Sequence, residues 1–322
     1  MEIPIPSTRA FEEARARMGA NVYHTPLLTS RKLSEATGFD VRLKAELFQR
    51  TGSYKIRGPL NKFTFLTPEE KARGVICSSA GNHAQGVALA ARIHGIHAVV
   101  CMATNATPSK IEATKAYGAE VVLHGTIWDE ANERAKALVA ERGYTYIHPF
   151  DDEQLIMGQG TVGLEIVRDW ADVDVIVVPI GGGGLISGIT LAAKSINPRI
   201  RIIGVESSGA PAMQRSVANG RLVTLETVEC VIDGLRVKRV GERTFQVVRQ
   251  YVDEVVALPD PAIFDAVVWT MHHLKVVPEG AAAAPVAALL AGLIRAAPGS
   301  RVVGVLSGGN VNLEPLRGLA WN

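Results

Sequence analysis

The sequence of 322 residues contains only three cysteines, Cys77, Cys101 and Cys230. Their number is odd and none are spaced as metal-binding pairs. This argues against a disulfide framework or structural zinc site and makes a reducing cytosol the expectation. Aromatic residues are scarce, at 6%. Neither sign of charge dominates: 34 basic and 32 acidic side chains leave a formal net charge of +2. No basic excess points to nucleic acid or to a membrane surface. The opening residues, MEIPIPSTRAFEEARARMG, lack a basic segment followed by an apolar one, so no secretory signal is expected. One uncharged stretch, 175–193, contains Pro179 and the glycines 181–184 and 188. That content argues against a membrane helix and reads as a buried strand, a glycine turn and a buried helix. Hydrophobic residues at 47% and charged residues at 20% exclude disorder, and the length suffices for a sizeable core.

Short apolar, β-branched runs recur at 74–78, 97–102, 119–123, 174–179, 200–205 and 301–306. Near-continuous apolar runs of this length are what parallel strands covered on both faces require. Helix starts lie between them, at Thr67-Pro68-Glu69-Glu70 and at Thr107-Pro108-Ser109. The alternation predicts an α/β protein with mostly parallel sheet. No repeat, low-complexity tract or Ser/Gly linker is visible. The quiet crossings near 66–74 and 148–153 are the candidate boundaries of a small domain, 68–150, set within a large one, 1–67 plus 151–322.

Four segments at strand ends or helix starts carry candidate chemistry. Lys55, in Gly52-Ser53-Tyr54-Lys55-Ile56-Arg57-Gly58, stands between apolar and aromatic residues. Desolvation there would lower its pKa and make it nucleophilic enough for a Schiff base. Taken alone, it reads as a solvated loop lysine. Ser79, Ala80, Gly81, Asn82 and His83 follow the run 74–78. Their backbone N–H groups suit an anion, although capping a helix explains them equally. Gly181, Gly182, Gly183, Gly184 and Leu185 follow Pro179. A plain turn needs one or two glycines; four let several N–H groups converge as a phosphate cup. A dinucleotide site is the rival, with Gly188 following and Glu206 about 20 residues on. Ser187, however, stands where that fingerprint wants its third glycine. Ser307, in Ser307-Gly308-Gly309-Asn310, ends the last run. An amine, a phosphate cup and small polar groups converging at strand ends fit pyridoxal phosphate.

With these motifs in order, the chain resembles the threonine/serine dehydratase and serine racemase family of fold-type II pyridoxal-phosphate enzymes. The resemblance runs through GSYKIRG (52–58), SAGNHAQG (79–86), HPFDDEQLIMGQGTVGLEI (148–166), GGGGL (181–185), DGLRVKRVGERTF (233–245) and LSGGN (306–310). It implies a two-lobed α/β fold, each lobe a mostly parallel sheet flanked by helices. It implies Lys55 as the Schiff-base lysine and proton acceptor, and the 181–185 loop at the cofactor phosphate. Asn82 is implied at the ring hydroxyl and Ser307 at the ring nitrogen. Ser79, Gly81, Asn82 and His83 are implied at the substrate carboxylate.

The reaction implied is loss of water from an L-β-hydroxy amino acid such as threonine or serine, giving a 2-oxo acid and ammonia. A neutral hydroxyl at the ring nitrogen suits elimination better than transamination. Alternatives are a serine racemase, or a dehydratase of hydroxyaspartate, phenylserine or a hydroxylated diamino acid. From other classes come an NAD-dependent oxidoreductase and a catalytically silent binding protein. Racemases of this family carry serine where Ala80 stands, as the acid on the far face. The metal site of some relatives pairs a Glu with an acidic residue six positions on; Glu206 is present, but Ala212 follows, so no metal is expected. A cytoplasmic homodimer acting on a small-molecule amino acid, without nucleic-acid or membrane partners, completes the expectation.

Overall fold

The computed structural model describes residues 3–311. Ten strands are defined: β1 (Leu27–Thr29), β2 (Asp40–Ala45), β3 (Val75–Ser78), β4 (Ala98–Met102), β5 (Glu120–Leu123), β6 (Thr145–Tyr146), β7 (Val175–Pro179), β8 (Arg201–Ser207), β9 (Glu254–Leu258) and β10 (Arg301–Leu306). They form two sheets. One has six strands in the order β1-β2-β10-β7-β8-β9; the other has four, β5-β4-β3-β6. Every pairing is parallel except that of β1 with β2. All six apolar runs of the sequence are strands, and β7 and β10 lie side by side inside the larger sheet. Their side chains are buried along both faces except at Arg301, as central parallel strands require.

The larger sheet takes its strands from both ends of the chain, because β2 pairs with β10 from Arg301↔Asp40 to Leu306↔Ala45. The strands of the smaller sheet all fall between residues 75 and 146. The helix Pro68–Arg73 begins as the sequence indicates: the Thr67 hydroxyl accepts from the Glu70 N–H, and the Glu70 carboxylate accepts from the Thr67 N–H.

The helix Glu153–Asp169 runs between the lysine segment and the helix Gly184–Ile196 that follows the glycine loop. Its glycines make this approach possible. A Cβ on Gly158 would lie 2.5 Å from the Arg57 carbonyl, and one on Gly163 would lie 2.8 Å from that of Ile189. The carboxyl ends of β3, β7 and β10 lead directly into the segments that carry Ser79, Gly181 and Ser307. Ligands of α/β sheets bind at such edges.

Candidate active site

Lys55 sits in the short turn Tyr54–Ile56, stitched to the end of β10. The Tyr54 N–H donates to the Ser307 carbonyl at 3.1 Å, and the Gly309 N–H donates to the Gly52 carbonyl at 2.9 Å. Gly52 has φ +69°, and a Cβ there would meet Asn310 Oδ1 at 2.5 Å. From the other side, Gly86 lets its helix approach the Lys55 carbonyl, which would lie 2.7 Å from a Cβ. The amine donates to the Pro149 carbonyl at 2.9 Å. Burial brings its pKa down to about 8, against the pull of the Glu279 carboxylate. The lysine is therefore a desolvated amine, and not the solvated loop lysine that its motif reads as when taken alone.

Two residues on, a buried ion network anchors the turn. Arg57 is fully buried and donates to Glu46 at 2.8 Å through both Nε and Nη2. It donates to Glu165 at 2.8 and 2.9 Å. Lys44, equally buried, contacts Glu165 at 2.8 Å and donates to the Thr25 carbonyl at 2.7 Å. Buried charges persist only when paired in this way.

After β3, the Ser79 hydroxyl accepts from the Gly81 N–H at 3.2 Å, which leaves its own proton free to donate. Asn82 opens the helix Asn82–His94. Its Nδ2 donates to both oxygens of Glu279, at 2.8 and 3.0 Å, while its Oδ1 accepts from Asn310 Nδ2 at 2.8 Å. Burial raises Glu279 to about 7, opposed chiefly by the Asn82 hydrogen bond. His83 Nε2 lies 3.0 Å from the Ile147 carbonyl, and burial lowers its pKa to about 3. The ring is neutral and donates to that carbonyl. It offers no positive charge to a carboxylate.

The glycine loop is walled on every side chain direction. A Cβ on Gly181 would strike the Gly234 carbonyl, and one on Gly182 the Phe150 ring. Gly183, at φ +93°, has Thr244 Oγ1 at 2.9 Å from its Cβ position, and Gly184 has Gln159 Oε1 at 2.9 Å. All four glycines are thus demanded by packing, a reason the sequence alone did not reveal. Thr244 Oγ1 donates to the Gly182 carbonyl at 2.7 Å. Among the described residues, the N–H groups of 181–185 find no acceptor. Ser307 is 2% exposed, and its hydroxyl makes no hydrogen bond among these residues. A depressed amine, free N–H groups opening a helix and a spare hydroxyl fit a ligand with an anionic end and an amine-reactive carbon, as pyridoxal phosphate has.

Glu206 is the acidic residue on which the dinucleotide reading rests. It is fully buried and accepts the N–H groups of Met213 and Gln214, both at 2.8 Å. That carboxylate caps the start of the helix Ala212–Ala218. Among the described residues no three His, Cys, Asp or Glu side chains stand together as a metal site. Glu279 lies in no segment singled out from the sequence; Phe150 and Gln159 fall within the quoted segment 148–166 and Asn310 within 306–310, but none of the three has a role assigned there. Chain crossings bring them to the site.

A two-sheet α/β fold with a desolvated lysine, and a glycine loop opening a helix at a strand's carboxyl end, fits the class of pyridoxal-phosphate enzymes. The family model for pyridoxal-phosphate dependent enzymes matches residues 20–308, and the chain belongs to that family. It is 47% identical over 303 residues to the L-threonine ammonia-lyase of Thermotoga maritima, covering 94% of this chain and 75% of that one. It is 44% identical to the catabolic L-threonine dehydratase TdcB of Escherichia coli, covering 94% and 92%. Among solved structures, maize serine racemase superimposes with a TM-score of 0.93 at 38% identity, covering 98% and 96% of the two chains. The processed form of threonine deaminase isoform 2 from Solanum lycopersicum gives 0.90 at 35% identity, covering 98% and 95%. The dinucleotide reading falls with these findings. No helix among the described residues is long and apolar enough to cross a membrane.

Proposed function

We propose that this protein is a pyridoxal-phosphate-dependent ammonia-lyase that removes water from L-threonine, and from L-serine, giving 2-oxobutanoate or pyruvate and ammonia. The observation that carries this reading is Lys55: a partly buried amine lowered to about 8, held between the Ser307 segment and the helix that begins at Asn82. The threonine-acting relatives at 47% and 44% identity support the choice of substrate.

In this reading Lys55 holds the cofactor aldehyde, the N–H groups of Gly181, Gly182, Gly183, Gly184 and Leu185 hold its phosphate, Asn82 its ring hydroxyl and Ser307 its ring nitrogen. When bound, pyridoxal phosphate supplies an electron sink for negative charge at the substrate α-carbon. Ser79, Gly81, Asn82 and His83 receive the substrate carboxylate, chiefly through N–H and O–H donors, since His83 is neutral. Lys55 takes the α-proton as general base. The α C–H and β C–O bonds break, water leaves, and the unsaturated amine released hydrolyses to the 2-oxo acid and ammonia. Ser307 is a hydroxyl and cannot sustain a positive ring nitrogen as a carboxylate would, which favours rapid elimination. Ala80 offers no proton to the opposite face of the α-carbon, so inversion is not the main outcome.

The wider reading is a cytoplasmic homodimer in which 68–150 forms a small domain. The buried free state of all three cysteines supports a reducing compartment. The confinement of one sheet to residues 75–146 supports the division. The test is a panel of β-hydroxy amino acids given to the cofactor-loaded protein, assayed for 2-oxo acid. Threonine and serine should head the panel; a strong preference for hydroxyaspartate or phenylserine would replace them as substrates.

A further inference from the structure

Behind the glycine loop lies a side chain within the segment 148–166 to which neither the resemblance nor the proposed reaction assigns a role. Gln159 stands midway along the helix Glu153–Asp169 and is 0% exposed. Neither Nε2 nor Oε1 has a hydrogen-bond partner. Buried amides are almost always bonded, so one orphaned at both ends calls for a physical reason. Its neighbour Thr161 shows the normal case: that hydroxyl donates to the Gly158 carbonyl at 2.7 Å and accepts from Arg57 at 3.0 Å.

The amide touches two different elements. Oε1 lies 2.9 Å from the Cβ position of Gly184, the first residue of the helix after the glycine loop. Nε2 lies 3.2 Å from the Cβ position of Gly58, three residues beyond Lys55. Glycine at both places leaves room for it. The side chain therefore fills the space between the segment that carries the lysine and the segment that carries the free N–H groups. A half-turn about its last torsion exchanges donor and acceptor. Toward an anion, the NH2 is the favoured end.

We propose that Gln159 is a positioning residue of the cofactor site. It sets the spacing between the lysine turn and the glycine loop, and it supplies its NH2 as a donor when a phosphate-bearing ligand occupies that loop. The proposal rests on membership of the pyridoxal-phosphate family and is independent of which amino acid the protein consumes.

The test uses the holoenzyme and pyridoxal phosphate itself. Gln159→Met keeps the length and removes donor and acceptor; Gln159→Glu keeps the shape and replaces the NH2 with oxygen. The readouts are the cofactor dissociation constant, from absorbance titration of cofactor-stripped protein, and the phosphorus resonance of the bound cofactor. Gln159→Met should bind about tenfold more weakly, with a displaced resonance, and Gln159→Glu more weakly still, because it sets oxygen against anion. A residue that only fills the core would lower the melting temperature of both variants and leave both cofactor readouts unchanged; that result overturns the proposal. Where a variant does not fold, the wild-type protein decides. The side-chain amide protons of Gln159 should exchange more slowly in holoenzyme than in stripped protein, and equal exchange contradicts the proposal.

Discussion

Asn82, at the start of the helix after β3, donates from Nδ2 to both carboxylate oxygens of Glu279, at 2.8 and 3.0 Å. The same carboxylate acts on Lys55: its charge raises the amine that burial lowers to about 8. Sequence position hides this three-way relationship, which controls when the amine is neutral.

Cofactor capture by stripped protein should follow that titration. Only the neutral amine attacks an aldehyde, so the capture rate should rise with pH through about 8, well below the ordinary lysine value of 10.5. Glu279→Gln removes a negative charge that raises Lys55, so its midpoint should move lower still. Stopped-flow absorbance across pH measures both. A midpoint at the ordinary lysine value, or an upward move in the variant, would contradict the electrostatics.

Ser307→Ala should reduce turnover of threonine by about tenfold or less, the scale of one lost hydrogen bond of about 0.5–1.5 kcal/mol. In the proposed site the hydroxyl would tune the ring and move no proton, whereas Lys55 would both anchor the cofactor and transfer a proton. Steady-state kinetics on variants with cofactor bound ranks them. Total loss in both would mean that Ser307 takes part in proton transfer.

Arg57→Met should destabilise the fold by about 3–5 kcal/mol, because it strands two buried carboxylates, Glu46 and Glu165. Arg57→Lys should recover only part of this, since one ammonium cannot reproduce a planar fork shared between two carboxylates. Urea denaturation gives both values. Full stability in the lysine variant would show that charge alone matters there.

The sequence discloses β3, β4, β5, β7, β8 and β10, whose apolar runs are near-continuous, and misses β1, β2, β6 and β9. β2 escaped notice because Arg42 and Lys44 interrupt it, yet Lys44 is fully buried, with its charge met by Glu165 from a distant helix. Lys55, Asn82, the glycines and Ser307 stand out as candidates because each lies in a dense local pattern near a strand end or a helix start. Glu279 does not stand out, because its segment, PEGAAAAPV, is small and apolar, and Gln159, though inside the segment 148–166, carries no local sign of its role. Their chemistry arises only when the chain folds back onto β3 and the glycine loop. The four glycines were read as a device for converging N–H groups, and the packing of Phe150, Gln159, Thr244 and Gly234 against them adds a second reason.

In the proposed reaction Ala80 offers no proton to the far face of the α-carbon, which would set the balance between elimination and inversion. With L-serine in deuterated water, the unmodified protein should form pyruvate far faster than D-serine. Ala80→Ser should add some inversion without abolishing elimination, because a hydroxyl within about 3 Å of the α-carbon's other face can deliver a proton. Chiral chromatography beside a pyruvate assay follows both products. D-serine as the dominant product of the unmodified protein would make it a racemase.

Lys55 is the residue on which the account depends most. Cofactor-loaded wild-type protein and Lys55→Ala protein should be incubated side by side with L-threonine and assayed for 2-oxobutanoate and ammonia. Wild type should release the two in equal amounts and carry a visible absorption band that borohydride abolishes. The variant should show neither the turnover nor the borohydride-sensitive band. Formation of 2-oxobutanoate by Lys55→Ala at the wild-type rate would contradict the assignment of this amine as anchor and base.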